Sequence, residues 1–229
     1  MKILKFGGSS VGKAENIRLV EKILAVQDEP CVVVISAFNG VTDRLIHAAQ
    51  LARNQQAAYK EVASGLRNTH LELVSDLLQG EVKESVTREV NNLMDEFHQI
   101  LQGVFQLRDL SAKTQDLVLS FGERLAAMIM ANFLAGAEFI DARELIRTDS
   151  LFGSATVDFQ HSNQNIRERF RDLKKQAILP GFIASDAEGE TTTLGRGGSD
   201  YTAAIVAAAL EASILEIWTD VDGFMTADP

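Results

Sequence analysis

The sequence has few of the residues that build metal centres, disulfides and reactive thiol sites. It contains one cysteine, four histidines and three prolines in 229 residues. A single cysteine excludes an internal disulfide and indicates a reducing compartment. Cys31 opens an apolar run, and no neighbouring residue would stabilise a thiolate there, so we interpret it as a core residue. The scattered histidines show no spacing typical of a transition-metal site, and the sequence predicts none.

Positive charge and long apolar runs are also scarce. Lysine and arginine number 22 against 32 acidic residues, which gives a formal net charge of −10. That excess of negative charge disfavours nucleic acid and anionic membrane as partners. No apolar run approaches the ~20 residues of a membrane-spanning helix, and Met1 leads into a strand without the pattern of a secretory signal. These absences predict a soluble, cytoplasmic protein with no nucleic-acid or membrane partner.

Apolar runs that alternate with helical patterns are present through most of the chain. Residues 3–6, 32–35, 138–141 and 215–218 read as short strands, and the β-branched run at 32–35 is typical of a strand buried on both faces. From about 57 to 136 strand signals are nearly absent, which predicts a helical insertion at about 57–110 whose apolar seam packs internally or forms a subunit interface. The expected fold class is α/β, a three-layer α/β/α sandwich around a mostly parallel central sheet.

The second half of the chain carries further predicted elements. We expect a strand at 154–158, a helix at about 163–177 and a strand at 178–184. A strand at 191–194 is expected to be joined to the preceding one by a turn at 186–189. A helix is expected at 199–212.

Two glycine-rich loops are the most informative features. Residues 195–203 read GRGGSDYTA and run into an apolar helix. Glycines let the backbone approach a ligand closely, and the start of a helix offers unpaired N–H groups and a positive dipole end. Arg196 adds a guanidinium that fits a carboxylate or phosphate. Residues 5–11, KFGGSSV, form a second such loop between a strand and a helix, so the sequence predicts a phosphoryl-transfer site at the carboxyl edge of the sheet.

The first loop nearly fits a nucleotide-binding P-loop. Residues 7–13 satisfy the G-x-x-x-x-G-K pattern, but Ala14 stands where a hydroxyl should hold Mg²⁺. In the alternative, Lys5 at the strand end carries the positive charge, and three small residues beside it line the phosphates: Gly7, Gly8 and Ser9.

Each acidic candidate also has an ordinary structural explanation. Glu123 could form an ion pair on a helix surface. Asp200 could be a first-turn residue favoured by the helix dipole. Asp220 and Asp222 could be turn formers.

The motifs occur in a characteristic order: residues 5–11, residues 36–42 (SAFNGVT), residues 121–123 (FGE), residues 193–203 (TLGRGGSDYTA) and residues 218–223 (WTDVDG). In this order they resemble aspartokinases, members of the amino-acid kinase superfamily. The long match at 193–203 favours aspartokinases over carbamate, glutamate, acetylglutamate and uridylate kinases. The resemblance implies that ATP and L-aspartate give 4-phospho-L-aspartate, the first step of aspartate-derived lysine, threonine and methionine biosynthesis.

The resemblance also implies roles for individual residues. Three are expected to be catalytic: Lys5, Gly8 and Asp200. The expected aspartate-binding residues are Thr42, Glu123, Arg196, Ser199 and Asp200. The expected ATP-binding residues are Lys5, Gly7, Gly8, Ser9, Thr219 and Asp220. Mg²⁺ is expected to accompany the ATP, with no dedicated protein metal site.

The chain departs from the family pattern in two ways. Met225 occupies a position where these enzymes usually carry tyrosine. The chain stops soon after, so we expect residues 1–229 to be a catalytic domain that is incomplete at its C-terminus and lacks regulatory domains. The full-length protein is expected to be a homodimer or higher homo-oligomer. The alternatives are a noncatalytic aspartate- or nucleotide-binding module and another amino-acid kinase.

Overall fold

The central sheet of the computed structural model, which describes residues 1–219, has five strands. They are β1 (Lys2–Phe6), β2 (Cys31–Ile35), β3 (Glu138–Phe139), β4 (Ala177–Pro180) and β7 (Ile214–Trp218). Their order in the sheet is β3-β4-β2-β1-β7, and every neighbouring pair is parallel. A separate antiparallel hairpin consists of β5 (Ile183–Ser185) and β6 (Thr191–Thr193). The parallel sheet and the hairpin at 186–189 confirm the sequence prediction.

Strand β2 shows why the sheet is buried on both faces. All five of its residues are fully buried. Val33 and Ile35 belong to the core on one side, whereas Val32 and Val34 belong to the core on the other, as the alternation of strand side chains requires. Burial raises the pKa of the Cys31 thiol to about 11, which supports its interpretation as a core residue.

Helices cover both faces of the sheet. On one side lie α1 (Ala14–Ala25), α2 (Val41–Arg53), α3 (Tyr59–Leu77), α4 (Gly80–Leu107) and α5 (Ala112–Phe133). On the other lie α6 (Ala142–Leu145), α7 (Phe159–Phe170) and α8 (Gly198–Ala209). A short 3-10 helix at Gly8–Val11 follows β1. The three-layer sandwich is therefore confirmed.

The helical insertion packs on its own chain. Helix α4 buries a row of apolar side chains against α2, α3 and α5, namely Val86, Val90, Met94, Phe97, Leu101 and Val104. Leu93, next to the buried Met94, packs at the margin of this cluster. The seam is thus internal helix packing rather than an open interface. None of the helices between residues 1 and 219 has the length and apolar character needed to cross a membrane.

The strand predicted at 154–158 is wrong. Only Val157 makes a bridge, to Thr148. The backbone N–H of Thr156 donates a hydrogen bond to the Asp149 carboxylate at 2.9 Å rather than to a neighbouring strand. These residues form a loop that reaches β6 through the Ala155 N–H, which donates to the Thr193 carbonyl at 2.9 Å.

The strand predicted at 178–184 is two strands in two sheets. The chain leaves the central sheet after Pro180 and turns at Phe182, whose φ is +68°. The predicted 163–177 helix is displaced towards the N-terminus. It begins at Phe159 because the Asp158 side chain caps it by accepting from the backbone N–H of His161 at 3.1 Å.

Candidate active site

Parallel strands bring their following loops to one edge of the sheet. There the end of β1, the loops after β2 and β4 and the N-terminus of α8 surround a cleft of about 270 Å³. Its lining residues are Lys5, Ser36, Thr42, Glu123, Phe182, Gly195, Arg196, Gly197, Gly198, Ser199 and Asp200. The cleft therefore brings together every residue that the sequence assigned to aspartate.

Lys5 supplies the buried positive charge of the cleft. It is 8% exposed at the end of β1, and its Nζ lies 2.7 Å from Oδ1 of Asp200. The Asp200 side chain is 48% exposed, so solvent and ligands can reach the pair. Asp200 also stands in the first turn of α8, as its alternative explanation required. The ion pair shows that it does more than stabilise the helix.

Glu123 is a buried acid. It is 4% exposed, and its Oε1 accepts a hydrogen bond from the backbone N–H of Ala37 at 3.3 Å. Its Oε2 is buried and has no hydrogen-bond partner among residues 1–219. Burial raises the pKa of the Glu123 carboxyl to about 8. The surface ion pair considered for Glu123 belongs instead to its neighbour Arg124, whose Nη2 lies 3.6 Å from Glu96.

A close approach between α5 and the loop after β2 places Glu123 at this edge. A Cβ on Gly122 would lie only 2.9 Å from the Cβ of Ala37, so a larger residue there would push the helix away. Glycine at this position keeps the Glu123 carboxyl beside the backbone N–H of Ala37.

Arg196 lies between two left-handed glycines at the start of α8. Gly195 and Gly197 both have a φ of +74°, a conformation that favours glycine. Gly197 is the N-cap residue, so the helix start carries no capping side chain. Within the described part of the chain, no carboxylate forms an ion pair with the exposed Arg196 guanidinium. The helix start and Arg196 together present positive potential to an anion.

The loop after β1 connects this cleft with a second one. The Gly7 N–H donates to the Trp218 carbonyl at 3.2 Å. A Cβ on Gly8 would lie 2.7 Å from the Ala37 carbonyl oxygen, which explains the need for glycine there. Ser9 and Thr219 line the second cleft, of about 290 Å³. Of the residues assigned to ATP, Lys5 lines the first cleft and Ser9 and Thr219 line the second, whereas Gly7 and Gly8 line neither.

The P-loop alternative receives no support from this arrangement. Lys13 is exposed and lines neither cleft. Lys5 instead lies near the end of β1 and lines the first cleft, as expected if Lys5 rather than Lys13 carries the positive charge of the loop. Asp220, Asp222 and Met225 lie outside the described residues.

Sequence reasoning assigned no individual role to five residues that line the first cleft, namely Ser36, Phe182, Gly195, Gly197 and Gly198. Ser36 is the first residue after the buried run of β2, and that position at the sheet edge was a usable signal. Phe182 was hidden inside a predicted strand, although the Pro180–Gly181 pair marks a break. Gly195 was quoted in the motif without a role. It approaches the 153–155 loop closely, since a Cβ there would lie 2.8 Å from Oγ of Ser154.

The side chains fit Mg²⁺ only as an ion carried by a nucleotide. Among residues 1–219, no group of three histidine, cysteine or acidic side chains could hold a metal. Mg²⁺ is commonly bound by one or two carboxylates together with substrate phosphates and water. Asp200, whose side chain is 48% exposed in the first cleft, is a carboxylate that matches that smaller requirement.

Comparison with known proteins agrees with this geometry. Residues 1–229 match the amino acid kinase family. A bifunctional aspartokinase/homoserine dehydrogenase of Buchnera aphidicola is 31% identical over 242 residues, which cover 100% of this chain and 29% of that protein. Lysine-sensitive aspartokinase 3 of Escherichia coli is 32% identical over 234 residues, which cover 99% of this chain and 50% of that protein.

Solved structures show the same likeness. E. coli aspartokinase III in complex with lysine and aspartate superimposes with a TM-score of 0.89 at 30% identity, covering 100% of this chain and 51% of that chain. The complex of E. coli aspartokinase III with aspartate and ADP gives a TM-score of 0.88 at 30% identity, covering 97% and 50%. The chain thus spans half or less of the length of the curated relatives described. Its motifs, its fold and the match along all 229 residues show that the chain belongs to the amino acid kinase family.

Proposed function

We propose that this chain is the catalytic part of an aspartokinase, which transfers the terminal phosphoryl group of ATP to the side-chain carboxylate of L-aspartate. The observation that carries the proposal is one cleft containing an unpaired arginine, two acidic side chains and a buried lysine. These groups complement an amino acid with two carboxylates and one ammonium. The likeness to E. coli aspartokinase III, solved with aspartate and ADP, supports the choice of substrates.

The amino-acid substrate would be held by opposite charges at its two ends. The guanidinium of Arg196 binds the α-carboxylate through two parallel hydrogen bonds. Glu123 and Asp200 accept from the α-ammonium. Hydroxyls of Thr42 and Ser199 donate to substrate oxygens, and both residues line the same cleft. This arrangement leaves the side-chain carboxylate directed towards Lys5.

The attacking carboxylate needs no general base. A free aspartate side chain has a pKa of about 3.9, so it is ionised at neutral pH. The carboxylate oxygen forms a bond to the terminal phosphorus while the bond to the bridging oxygen of ADP breaks. The enzyme must mainly overcome repulsion between anions, so positioning and electrostatic stabilisation supply the catalysis.

Lys5 would stabilise the charge on the transferred group, and its pairing with Asp200 fixes its ammonium in the cleft. The Gly8 backbone N–H would contact the same group. The ATP phosphates and sugar would lie along Gly7, Ser9, Thr219 and Asp220. Mg²⁺ bound with ATP would neutralise polyphosphate charge.

The biological setting is part of the same proposal. The reaction product would feed lysine, threonine and methionine biosynthesis, consistent with the lysine-sensitive relative in E. coli. A cytoplasmic location and a homodimer or higher homo-oligomer of the full-length protein complete the proposal.

A direct test is a turnover assay with Mg-ATP and L-aspartate, in which hydroxylamine traps the acyl phosphate as a hydroxamate. L-glutamate and D-aspartate serve as competing substrates, and Arg171→Ala, an exposed arginine outside the first cleft, is the matched control for Arg196→Ala. Hydroxamate from L-aspartate alone supports the proposal. Aspartate binding without any product would instead favour the noncatalytic module, and product from another amino acid would favour a different amino-acid kinase.

A further inference from the structure

Asp116 is a buried carboxylate that the proposed mechanism does not use. It is 1% exposed and lies on α5, seven residues before Glu123 and on the same face of the helix. No ion pair joins it to a cation within residues 1–219. A buried acid is costly unless its oxygens are hydrogen-bonded. Its partners therefore indicate what it does.

Three hydrogen bonds satisfy the Asp116 carboxylate, and all come from outside α5. Oδ2 accepts from the backbone N–H of Thr193 at 2.9 Å and of Gly153 at 2.8 Å. Oδ1 accepts from the Thr193 hydroxyl at 2.8 Å. One side chain thus joins the helix that carries Glu123, the last residue of β6 and the 153–155 loop.

The contacts continue from Thr193 to the substrate cleft. The Thr193 carbonyl accepts from Ala155, and the next residue, Leu194, donates to the Phe182 carbonyl at 2.9 Å. The 153–155 loop also contacts the backbone that follows β6, where Ser154 lies against Gly195. Arg196 is three residues beyond Thr193. The position of its guanidinium therefore depends on where Asp116 holds the end of β6.

We propose that Asp116 is a positioning residue for the amino-acid half of the site, which sets the distance between Arg196 on one side of the cleft and Glu123 on the other. The identity of the ligand rests on the proposed function. The placement of the Thr193–Arg196 segment does not, because it can be measured without ligand.

Substitutions of Asp116 and Thr193 distinguish the effect of the Asp116 charge from the effect of its hydrogen bonds and from a general loss of protein stability. In Asp116→Asn the amide oxygen can accept from both backbone N–H groups, and the Thr193 hydroxyl can rotate to accept from the amide nitrogen. Asp116→Ala removes all three bonds. Thr193→Val removes the hydroxyl bond alone, and Thr193→Ser retains it.

Ser111→Ala is the matched control. Ser111 is the N-cap of the same helix, and its Oγ accepts from the Thr114 N–H at 3.1 Å. Its loss destabilises α5 from the far side without touching β6.

The experiment uses the 229-residue chain and measures L-aspartate affinity by calorimetry and amide hydrogen exchange over residues 193–198. Asp116→Ala is expected to weaken aspartate binding by about 10- to 100-fold, the contribution of hydrogen bonds to a charged group such as those that a displaced Arg196 would lose. It is also expected to accelerate exchange in that segment while β1 and β2 remain protected. The aspartate affinity and exchange rates of Thr193→Val should lie between those of Asp116→Ala and wild type. Those of Asp116→Asn and Thr193→Ser should stay near the wild-type values.

Wild-type affinity and exchange in folded Asp116→Ala and Thr193→Val would overturn the proposal. An equal loss of aspartate affinity in Ser111→Ala would also overturn it, since stability alone would then explain the effect. Should Asp116→Ala fail to fold, the difference in aspartate affinity and exchange between Thr193→Val and Thr193→Ser tests the same proposal. If the wild-type chain bound no aspartate, the proposed function would fail, while the exchange measurement would still decide the role of Asp116.

Discussion

The two halves of the candidate site are built differently. The amino-acid half, defined by Arg196, Glu123 and Asp200, lies between α5, α8 and the β5–β6 hairpin. The nucleotide half, defined by the loop at 7–10 and by Thr219, lies beside β7, which within residues 1–219 pairs only with β1. Buried hydrogen bonds fix the first half, whereas the second adjoins a strand at the sheet edge.

The difference in burial has a consequence for binding. Ile214, Ile217 and Trp218 of β7 are 46%, 43% and 39% exposed, while Thr193 and the β5 strand that pairs with it are almost fully buried. A preorganised site loses less entropy when it binds its ligand. We therefore expect this chain to recognise the amino acid more completely than the nucleotide, and the substitutions below test that expectation.

The largest effect is expected from Lys5→Met. Among residues 1–219, Lys5 is the one lysine that lines the first cleft, and its removal should lower turnover on the order of 10³-fold, since in the proposed mechanism fixed charge at the transferred group supplies most of the catalysis. Aspartate affinity should change much less. Steady-state hydroxamate formation measures the first quantity and calorimetry the second. Near-normal turnover would remove Lys5 from the mechanism.

Arg196→Ala should come next. Loss of a charge-assisted, two-point hydrogen bond should raise the KM for aspartate by about 10²-fold, from ~2–3 kcal/mol. The KM for Mg-ATP should stay close to wild type, and Arg171→Ala should leave both unchanged. A change confined to the KM for Mg-ATP would mean that the two halves of the site are assigned in reverse.

Ionisation of Glu123 should make aspartate binding depend on pH, an effect smaller than those of the two substitutions above. With a pKa of about 8, the carboxyl is mostly protonated at pH 7, but pairing with an ammonium requires it ionised. Aspartate binding should therefore release close to one proton at pH 7 and strengthen as the pH rises towards about 8. Calorimetry in buffers of different ionisation enthalpy measures this release. Glu123→Gln should abolish it, and equal release in that variant would contradict the assignment.

The same group affects stability with a defined sign. The folded-state pKa of Glu123 is raised above its unfolded value, so the folded protein binds more protons than the unfolded chain between about pH 4.5 and about pH 8. Its contribution to the free energy of unfolding is largest at low pH and is lost as the pH rises through that window. Thermal melting should show a smaller decrease in Tm with rising pH in Glu123→Gln than in wild type. Identical slopes would show that burial does not perturb Glu123.

The smallest expected effect is at the nucleotide half. Ser9→Ala removes one hydroxyl near the second cleft and should weaken Mg-ADP binding by about 2- to 10-fold, the contribution of a typical hydrogen bond. Its aspartate affinity is the internal control and should not change. If aspartate affinity fell instead, Ser9 would belong to the amino-acid half.

Local sequence signals accounted for much of the fold. The apolar run at 32–35 predicts a buried strand from its own residues. The glycines of the loops at 5–11 and 195–203 likewise predict the backbone conformation of those loops. The strand predicted at 154–158 was wrong because its backbone N–H groups donate to the Asp149 side chain and to the carbonyls of Arg147 and Thr193 rather than to one neighbouring strand, and periodicity does not record such bonds. The break at Phe182 was missed for a similar reason.

The sequence motifs predicted which residues form the candidate site, but not which of these residues contact each other. Sequence motifs indicated Lys5 and Asp200 separately, while their ion pair depends on how α8 returns to β1. The pKa of Glu123 depends on burial between α5 and the loop after β2. Asp116 carries no local signal at all, because its three hydrogen bonds come from two residues, Gly153 and Thr193, that lie 37 and 77 residues away. Long-range packing determines these features.

The most direct test of the preorganised amino-acid half is a calorimetric comparison of L-aspartate with succinate, which keeps both carboxylates but lacks the ammonium. The account predicts that L-aspartate binds the folded 229-residue chain more tightly than succinate by at least about 10-fold, since charge-assisted hydrogen bonds to the ammonium are lost. Glu123→Gln should narrow that difference. Equal affinities for the two ligands, or no binding of L-aspartate by the folded chain, would contradict it.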